Sequence, residues 1–183
     1  DPMNSDNVSE PIAIVLLGPS GCGKTSVGRR LAQQRAAKFI DADDFHSPEA
    51  IEKMSRGIGL SDQDRLPWLK RLAAVLHAPQ AQTDIVLACS ALKDKYRRLL
   101  ADGSRKVVFL YLKVELDELT RRLTERSGHF AGVNLLQSQL ETLEAPLPHE
   151  IIDAGLPFEE VCAAVEDRLL LNSPQTLPHR QEA

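Results

Sequence analysis

Five short runs of apolar and β-branched residues alternate along the chain with longer stretches whose apolar residues recur every three to four positions. Runs of this kind indicate strands that are buried on both faces, and the longer stretches indicate amphipathic helices. Strands that alternate with helices predict β-α-β units, and therefore a mostly parallel sheet with helices on both faces. The predicted strands are Ile12–Leu17, Lys38–Asp41, Asp84–Cys89, Lys106–Leu112 and Glu150–Asp153.

The predicted helices are marked by capping residues and by apolar spacing. Ser47 followed by Pro48 is typical of a helix N-terminus, and Gly57 marks the end of that short helix. The segment from Asp62 to Pro67 is polar, which predicts a loop that enters the next helix at Trp68. Trp68 is expected in the core, because it begins an apolar stripe with a period near 3.6 residues. The stripe contains Trp68, Leu69, Leu72, Ala73, Val75 and Leu76.

The size and composition of the chain limit what it can be. Its 183 residues suit one domain, predicted over residues 11–171, with flexible tails at residues 1–10 and 172–183. A net charge of −4 gives no reason to expect nucleic acid as a partner. No apolar stretch approaches the roughly 20 residues of a membrane span. The three cysteines are widely separated and show no metal-binding spacing, which fits a reducing cytoplasm.

A glycine-rich motif directly follows the first predicted strand. Residues 18–25 read G-P-S-G-C-G-K-T, a complete phosphate-binding loop placed between a strand and a helix. Backbone N–H groups of such a loop and the helix N-terminus surround a polyphosphate, the lysine approaches the β- and γ-phosphates, and the threonine hydroxyl ligates Mg²⁺. A turn with no ligand would not require that lysine and threonine. The predicted ATP-binding residues are Gly18, Pro19, Ser20, Gly21, Cys22, Gly23, Lys24, Thr25 and Ser26.

Carboxylates follow the second predicted strand in the sequence D-A-D-D-F-H, residues 41–46. If this segment is extended, Asp41 and Asp43 lie on one side and Asp44 on the other. Carboxylates beside a phosphate loop either hold Mg²⁺ or orient and deprotonate an attacking hydroxyl. The alternative is an acidic turn that caps the Ser47 helix. We expect His46 to be a surface group.

A serine and basic residues follow the third predicted strand. Ser90 is either a substrate contact or the N-cap of the next helix. Lys93 and Arg97 are four residues apart, so on a helix they share one face that suits an anion, although such a face is also common in solvent. No aspartate ends this strand, so Asp41 is the candidate carboxylate for the metal. Arg65, in the polar segment before Trp68, is a further candidate substrate ligand.

Arg126 and His129 lie in a segment that follows the fourth predicted strand by one helix. A mobile segment that carries arginine can close over a triphosphate and neutralise charge on the transferred group. The alternative is a helix C-terminus with arginines near its last carbonyls and Gly128 at its end. The residues leave both interpretations open.

Six motifs, occurring in this order, give the chain its resemblance to a known family. They are G-P-S-G-C-G-K-T, D-A-D-D-F-H, L-S-D-Q-D-R-L-P-W-L, C-S-A-L-K-D-K-Y-R-R, G-H-F and L-L-Q-S-Q-L-E-T-L-E. Over residues 11–171 the chain closely resembles the small gluconokinases, which are relatives of shikimate kinase and the nucleoside monophosphate kinases. The phosphate loop is shared with many NTPases, whereas D-Q-D-R-L-P-W and C-S-A-L-K are more specific to gluconokinases.

The resemblance implies a three-layer α/β fold of the P-loop NTPases, with a five-stranded parallel sheet and a small mobile lid at about residues 122–135. It implies a cytoplasmic enzyme, with a homodimer as one expected assembly, that transfers the γ-phosphoryl group of ATP to the 6-hydroxyl of D-gluconate. There are two alternatives. One is an enzyme whose acceptor is another small hydroxy acid such as shikimate, and the other is a non-catalytic ATP-binding switch.

The resemblance also assigns roles to individual residues. Lys24, Asp43 and Arg126 would be catalytic, and Thr25 and Asp41 would support Mg²⁺. The residues on the substrate side would be Asp43, Arg65, Ser90, Lys93, Arg97 and His129.

Overall fold

A five-stranded parallel sheet forms the centre of the molecule in the computed structural model, which describes residues 9–127 and 131–171. The strands are β1 (Ala13–Leu17), β2 (Lys38–Asp41), β3 (Ile85–Cys89), β4 (Val107–Lys113) and β5 (Ile151–Asp153). All four neighbouring pairs are parallel, in the order β2-β3-β1-β4-β5. The predicted sheet is confirmed, and each strand begins within one residue of its predicted start.

Helices connect the strands and cover both faces of the sheet. They are α1 (Lys24–Arg35), α2 (Pro48–Ser55), α3 (Asp62–Leu76), α4 (Asp94–Ala101), α5 (Leu116–Ser127), α6 (Ala131–Thr142) and α7 (Phe158–Leu171). Two short 3₁₀ segments, Ala42–Phe45 and Pro148–Glu150, precede α2 and β5. The segment Ala42–Phe45 is called the Asp43 turn below.

The core is divided by the sheet into two apolar layers. On one face, Ile14 and Leu16 of β1 pack with residues of α1, α5 and α7. On the other face, Val15 and Leu17 pack with residues of α3 and α4. Because successive side chains of a strand point to opposite faces, the continuous apolar run of β1 serves both layers. The predicted three-layer α/β architecture is therefore confirmed.

Helix α3 begins six residues earlier than the sequence pattern indicates. The predicted loop between Asp62 and Pro67 is wrong: this segment forms the first turns of α3. The Ser61 side chain accepts a hydrogen bond from the Asp64 N–H, and the Asp64 carboxylate accepts one from the Ser61 N–H. This capping box satisfies N–H groups of the first turn, and burial of Trp68 and Leu69 holds the helix together beyond the proline.

The three cysteines lie in the interior of the fold. Cys22, Cys89 and Cys162 are free thiols, all buried. Burial raises the pKa of the Cys89 thiol to about 12, so this side chain behaves as a small apolar group rather than a nucleophile. In the described part of the chain, no helix has both the length and the apolar character that crossing a bilayer requires.

Candidate active site

Three neighbouring strands end at the same level of the sheet. Leu17, the last residue of β1, pairs with Cys89, the last residue of β3, and Asp41 at the end of β2 pairs with Ala88. The segments that follow these strands therefore begin at one edge, where ligands of open parallel sheets bind. The phosphate loop, the Asp43 turn and the segment that begins at Ser90 all start there.

The backbone of the phosphate loop requires glycine where the sequence provides it. Gly18, Gly21 and Gly23 have positive φ angles of 148°, 87° and 98°. A Cβ atom on Gly18 would lie 2.5 Å from the Cys22 sulfur, so the loop could not close around a larger residue. Gly23 is also the N-cap residue of α1, which places the end of the loop at a helix N-terminus, where anions are favoured.

Lys24 lies within its own loop. Its Nζ atom donates hydrogen bonds to the carbonyl oxygens of Gly18 (2.5 Å) and Pro19 (3.1 Å), and the residue is half-buried. These bonds hold a cation at the mouth of the glycine-rich turn. This is where a triphosphate would need positive charge.

The residues at the start of α1 and the end of β2 fit a nucleotide-bound Mg²⁺. Thr25 and Ser26 are exposed in the first turn of α1. One oxygen of Asp41, Oδ1, accepts the Asp43 N–H at 3.0 Å, and the carboxylate has a second oxygen with which to approach a hydrated ion. The described residues contain no group of three His, Cys, Asp or Glu side chains that would suit a metal ion. Mg²⁺ carried by phosphates needs only one or two protein ligands, which Thr25 and Asp41 could supply.

The Asp43 turn is helical rather than extended. The prediction that Asp41 and Asp43 lie on one side of an extended segment is wrong, because Ala42–Phe45 forms a 3₁₀ helix with Asp41 as its N-cap residue. An aspartate at an N-cap satisfies an N–H group that the turn would otherwise leave unpaired. As a result, the Asp43 side chain is 77% exposed and accessible to a ligand.

The pKa of the Asp43 carboxyl is raised above its usual value. Partial withdrawal from water by the surrounding protein is the main cause, and the nearby Asp41 carboxylate adds to it. His46 and Lys24 act in the opposite direction. A carboxylate with a raised pKa is a better proton acceptor than an ordinary aspartate, which suits a residue that contacts a reacting hydroxyl.

His46 is buried, contrary to the expectation of a surface group. Its side chain is 5% exposed and stacks on Trp68, with ring centroids 4.3 Å apart and planes inclined by 14°. Its Nε2 atom lies 3.7 Å from Asp43 Oδ1, and its buried Nδ1 atom has no hydrogen-bond partner among the described residues. Burial lowers the pKa of His46, and the nearby Arg65 and Arg71 lower it further against the effect of Asp43.

Helix α3 holds the Asp43 turn through two backbone carbonyls. Trp68 is buried, as expected, and its Nε1–H donates to the Ala42 carbonyl at 2.6 Å. One turn further along α3, the Arg71 guanidinium donates to the Phe45 carbonyl through Nε (3.0 Å) and Nη2 (2.7 Å). The sequence did not reveal this role of Trp68 and Arg71, because nothing in it signals a partner 26 residues away.

Lys93 belongs to a charged cluster between α3 and α4. The Asp62 carboxylate pairs with Lys93 Nζ at 3.1 Å, with Lys95 Nζ, and with the Tyr96 hydroxyl. These contacts, with Lys95 first, lower the pKa of Asp62, and Asp62 in turn raises the pKa of Lys93. Arg65 joins the cluster through the Tyr96 hydroxyl at 3.2 Å. We call these five residues the basic cluster.

Two expectations about this region are wrong. Ser90 does not cap the next helix, because α4 begins at Asp94 with Lys93 as its N-cap residue. Lys93 and Arg97 do not form an exposed helical face, because Lys93 lies at the N-cap of α4 and Arg97 is buried. Arg97 is 7% exposed, and its Nη2 atom donates to the carbonyls of Leu92 (3.3 Å) and Glu144 (2.7 Å). Arg97 thus ties the segment after β3 to the segment after α6.

An apolar groove of about 780 Å³ lies beside the basic cluster. Leu66, Leu69 and Leu99 line it, together with the outer sides of Asp62 and Tyr96. Its walls are mainly hydrocarbon, and none of its lining residues belongs to the phosphate loop or to the Asp43 turn. We therefore place the candidate site at the strand ends.

The predicted lid lies partly outside the described residues. Arg126 is exposed in the last turn of α5, and His129 is not among the described residues. Two contacts near the lid were missed at the sequence level. Arg122 Nη1 donates to the Gly21 carbonyl at 3.1 Å, and Gln139 Oε1 accepts the Ser20 N–H at 3.0 Å. The G-x-x-x-x-G-K-T pattern carries no signal for partners more than 100 residues away.

Fold and site together define the class of the protein. A parallel sheet of this order, with a lysine-bearing phosphate loop after β1 and carboxylates after β2, is the arrangement of P-loop kinases. These enzymes transfer a phosphoryl group from ATP to a hydroxyl group of a small molecule.

Comparison with known proteins narrows this class. The shikimate kinase family model matches residues 20–151. The thermosensitive gluconokinase of Escherichia coli strain K12 is 45% identical over 139 residues, 75% of this chain and 74% of the relative. The thermoresistant gluconokinase of the same strain is 41% identical over 155 residues, 82% of this chain and 89% of the relative. A solved gluconokinase structure from Sinorhizobium meliloti 1021 has a TM-score of 0.76 and 37% identity, covering 89% of this chain and 98% of the other. The chain belongs to the gluconokinase family of P-loop kinases.

Proposed function

We propose that the protein transfers the γ-phosphoryl group of ATP to the 6-hydroxyl of D-gluconate, giving 6-phospho-D-gluconate and ADP. The observation that carries this proposal is that the phosphate loop, the Asp43 turn and the segment that leads from β3 to Lys93 of the basic cluster all begin at one edge of the sheet. Asp43 in that turn is accessible and has a raised pKa. The similarity to gluconokinases supports gluconate as the acceptor.

The donor side consists of the phosphate loop and the residues next to it. Backbone N–H groups of Gly21–Lys24 and the N-terminus of α1 would surround the β- and γ-phosphates. Lys24, which now bonds to its own loop, would turn to the phosphate oxygens. Thr25 and Asp41 would hold Mg²⁺, which neutralises phosphate charge when bound. Arg126 would add positive charge from the lid side.

Asp43 is the residue proposed to act on the acceptor. Its carboxylate would accept a hydrogen bond from the substrate hydroxyl and then the proton, as the oxygen bonds to phosphorus. His46 and Trp68 keep the turn that carries Asp43 in place. This orientation matters because most of the catalysis in phosphoryl transfer comes from positioning and electrostatics.

The basic cluster explains how the site would recognise the acid group of the acceptor. Two ammonium groups, those of Lys93 and Lys95, share the single carboxylate of Asp62, and Arg65 adds a third positive charge nearby. The cluster therefore carries surplus positive charge, which suits a carboxylate on the ligand. Ser90 and His129 remain proposed partners of the hydroxyl groups. The contacts of Arg97 support a role in positioning the segment that carries Ser90 and Lys93.

Identification of the product tests the proposed reaction. We expect Mg·ATP and D-gluconate to give a phosphomonoester whose carbon-13 spectrum shows phosphorus coupling at C6. Coupling at another carbon would contradict the position of transfer, and the absence of a phosphomonoester would contradict the activity.

Lys24→Ala should lower kcat far more than the affinity for gluconate. Unchanged turnover in that variant would remove the assigned role of the loop.

A further inference from the structure

The phosphate loop is held from outside by α5 and α6, the two helices that overlap the predicted lid. From α5, Arg122 Nη1 donates to the Gly21 carbonyl at 3.1 Å and Nη2 donates to the Ala154 carbonyl at 3.3 Å. The Leu123 side chain lies 3.5 Å from the position of a Cβ atom on Gly21. From α6, Gln139 Oε1 accepts a hydrogen bond from the N–H of Ser20, the residue before Gly21. Two adjacent residues of the loop are thus fixed by side chains more than 100 positions away.

Gln139 is presented to the loop by a firmly anchored part of α6. Leu136, three residues earlier on the helix, is fully buried, and Leu140 packs against the same core layer. The Gln139 side chain is half-buried between this core and the loop. In contrast, Gln137 of the same helix is exposed and pairs only with Glu141 on its own helix, at 3.4 Å. The two glutamines have the same side chain and lie on the same helix, but only Gln139 contacts the loop.

A loop of this kind benefits from an external bond. Three of its residues are glycines with positive φ, and glycine loses more conformational freedom than any other residue when it is ordered. A loop that is already ordered when the nucleotide arrives binds it more tightly, because the ordering cost is not taken from the binding free energy. A side-chain oxygen that fixes the Ser20 N–H orders the peptide immediately before the N–H groups of Gly21–Lys24.

We infer that Gln139 is a positioning residue for the nucleotide: its hydrogen bond to the Ser20 N–H orders the phosphate loop before ATP binds and couples the loop to the helix after the lid. The inference concerns the affinity for nucleotide. Only its effect on turnover rests on the proposed function. It does not require Gln139 to contact ATP, Mg²⁺ or the acceptor.

The test compares Gln139→Met with Gln137→Met. Methionine preserves the length of the side chain and removes the acceptor oxygen. The dissociation constant of ADP is measured by calorimetry without any acceptor, and KM is then measured for ATP and for gluconate. For Gln139→Met we expect the ADP dissociation constant and the KM for ATP to rise about fivefold, the effect of one net hydrogen bond. The KM for gluconate and the midpoint of thermal unfolding should stay at the wild-type values, and Gln137→Met should match the wild type throughout.

Several results would overturn the inference. These are unchanged ADP affinity in Gln139→Met, an equal loss in Gln137→Met, or a rise in both KM values together with a lower unfolding midpoint, as a general structural role predicts. Failure of Gln139→Met and Gln139→Ala to fold would also overturn it, because a positioning residue at a half-buried site is not needed for folding. If wild-type protein binds ADP but does not turn over gluconate, the proposed function fails while the ADP measurement still decides the role of Gln139.

Discussion

The Asp43 side chain is exposed, but its surroundings disfavour the ionised form of its carboxyl group. Its side chain is 77% exposed, yet its pKa is raised, first by partial burial of the carboxyl and then by Asp41. A raised pKa in the folded state means that the folded protein binds this proton more tightly than the unfolded chain does. Ionised Asp43 therefore lowers the stability of the fold at pH values above the pKa of the unfolded chain.

Replacing Asp43 with Asn should separate activity from stability. We expect kcat to fall by about 10² or more, because the proton acceptor is lost. The free energy of unfolding at pH 7 should stay equal or rise, because the unfavourable ionised carboxylate is removed. Turnover assays and urea unfolding measure the two effects. Asp44→Asn, at the exposed neighbouring position, is the control and should keep wild-type turnover. A marked loss of stability in Asp43→Asn would indicate a structural residue instead.

Replacing Trp68 with Phe tests whether the hold on the Asp43 turn matters for catalysis. The change removes the N–H donor to the Ala42 carbonyl and alters the surface on which His46 stacks. We expect the free energy of unfolding to fall by about 1–3 kcal/mol, the usual effect of leaving a buried polar group unpaired. We also expect kcat to fall several-fold with unchanged ADP affinity.

Val165→Ala is the matched control for this change. Val165 is fully buried in the other core layer, so the variant should lose stability without disturbing the Asp43 turn. If Val165→Ala lowers kcat as much as Trp68→Phe does at a temperature where both are folded, the effect follows general stability. The indole would then have no particular role in positioning Asp43.

At the scale of elements, the first turn of α3 connects the capping box to the site. Asp64 accepts the Ser61 N–H and two hydrogen bonds from Lys53 Nζ, at 2.9 and 3.1 Å. The first of these contacts is the largest cause that lowers the pKa of Asp64 to about 2. The same turn carries Asp62 and Arg65 into the basic cluster. The position of that cluster therefore depends on where α3 begins.

Asp64→Asn should reveal this contribution through its pH dependence. The pKa is about 2 in the folded state and about 3.9 in the unfolded chain. The carboxylate therefore stabilises the fold above about pH 4, and this contribution disappears as the pH falls towards 2. We expect the variant to be less stable than wild type at pH 7, with the difference shrinking as the pH is lowered from about 5 to 3. A difference that is the same at every pH would show that the ionised carboxylate is not its source.

The sequence was most informative where a structural requirement is local. Consecutive apolar residues located β1 and β3, which are buried throughout, because a parallel sheet is covered on both faces. The edge strands β2 and β5 are shorter and only partly buried. The capping pair Ser47-Pro48 located the start of α2, and the glycine pattern located the phosphate loop. The start of α3 was missed because the segment from Asp62 to Pro67 is polar, although Ser61 and Asp64 form a capping box that marks a helix start.

Contacts between distant segments were beyond the reach of sequence patterns. The burial of His46 depends on Trp68, and the fixation of Ser20 depends on Gln139, 119 positions away. Arg97 has the spacing of an exposed helical residue and is nevertheless buried against Glu144. Such pairings result from the packing of whole helices on the sheet, and the period of one segment contains no information about its neighbours.

At the scale of the whole molecule, strand order accounts for the site. Because β3 lies between β2 and β1, the segment with Ser90 and Lys93 begins between the Asp43 turn and the phosphate loop. The phosphate loop, the segment with Ser90 and Lys93, and the Asp43 turn thereby follow neighbouring strands of one sheet, and the helices around them belong to longer connections. Of the two motifs that are specific to the family, C-S-A-L-K begins at the last residue of β3, whereas D-Q-D-R-L-P-W lies in the first turns of α3.

The most direct test of the proposed activity is the release of ADP from Mg·ATP in the presence and absence of D-gluconate, with shikimate as the control acceptor. We expect rapid release that depends on gluconate and stays at the background level with shikimate. Release that is independent of gluconate, or that is greater with shikimate, would contradict the proposed acceptor. Absence of release with either compound would contradict a kinase that acts on these acids.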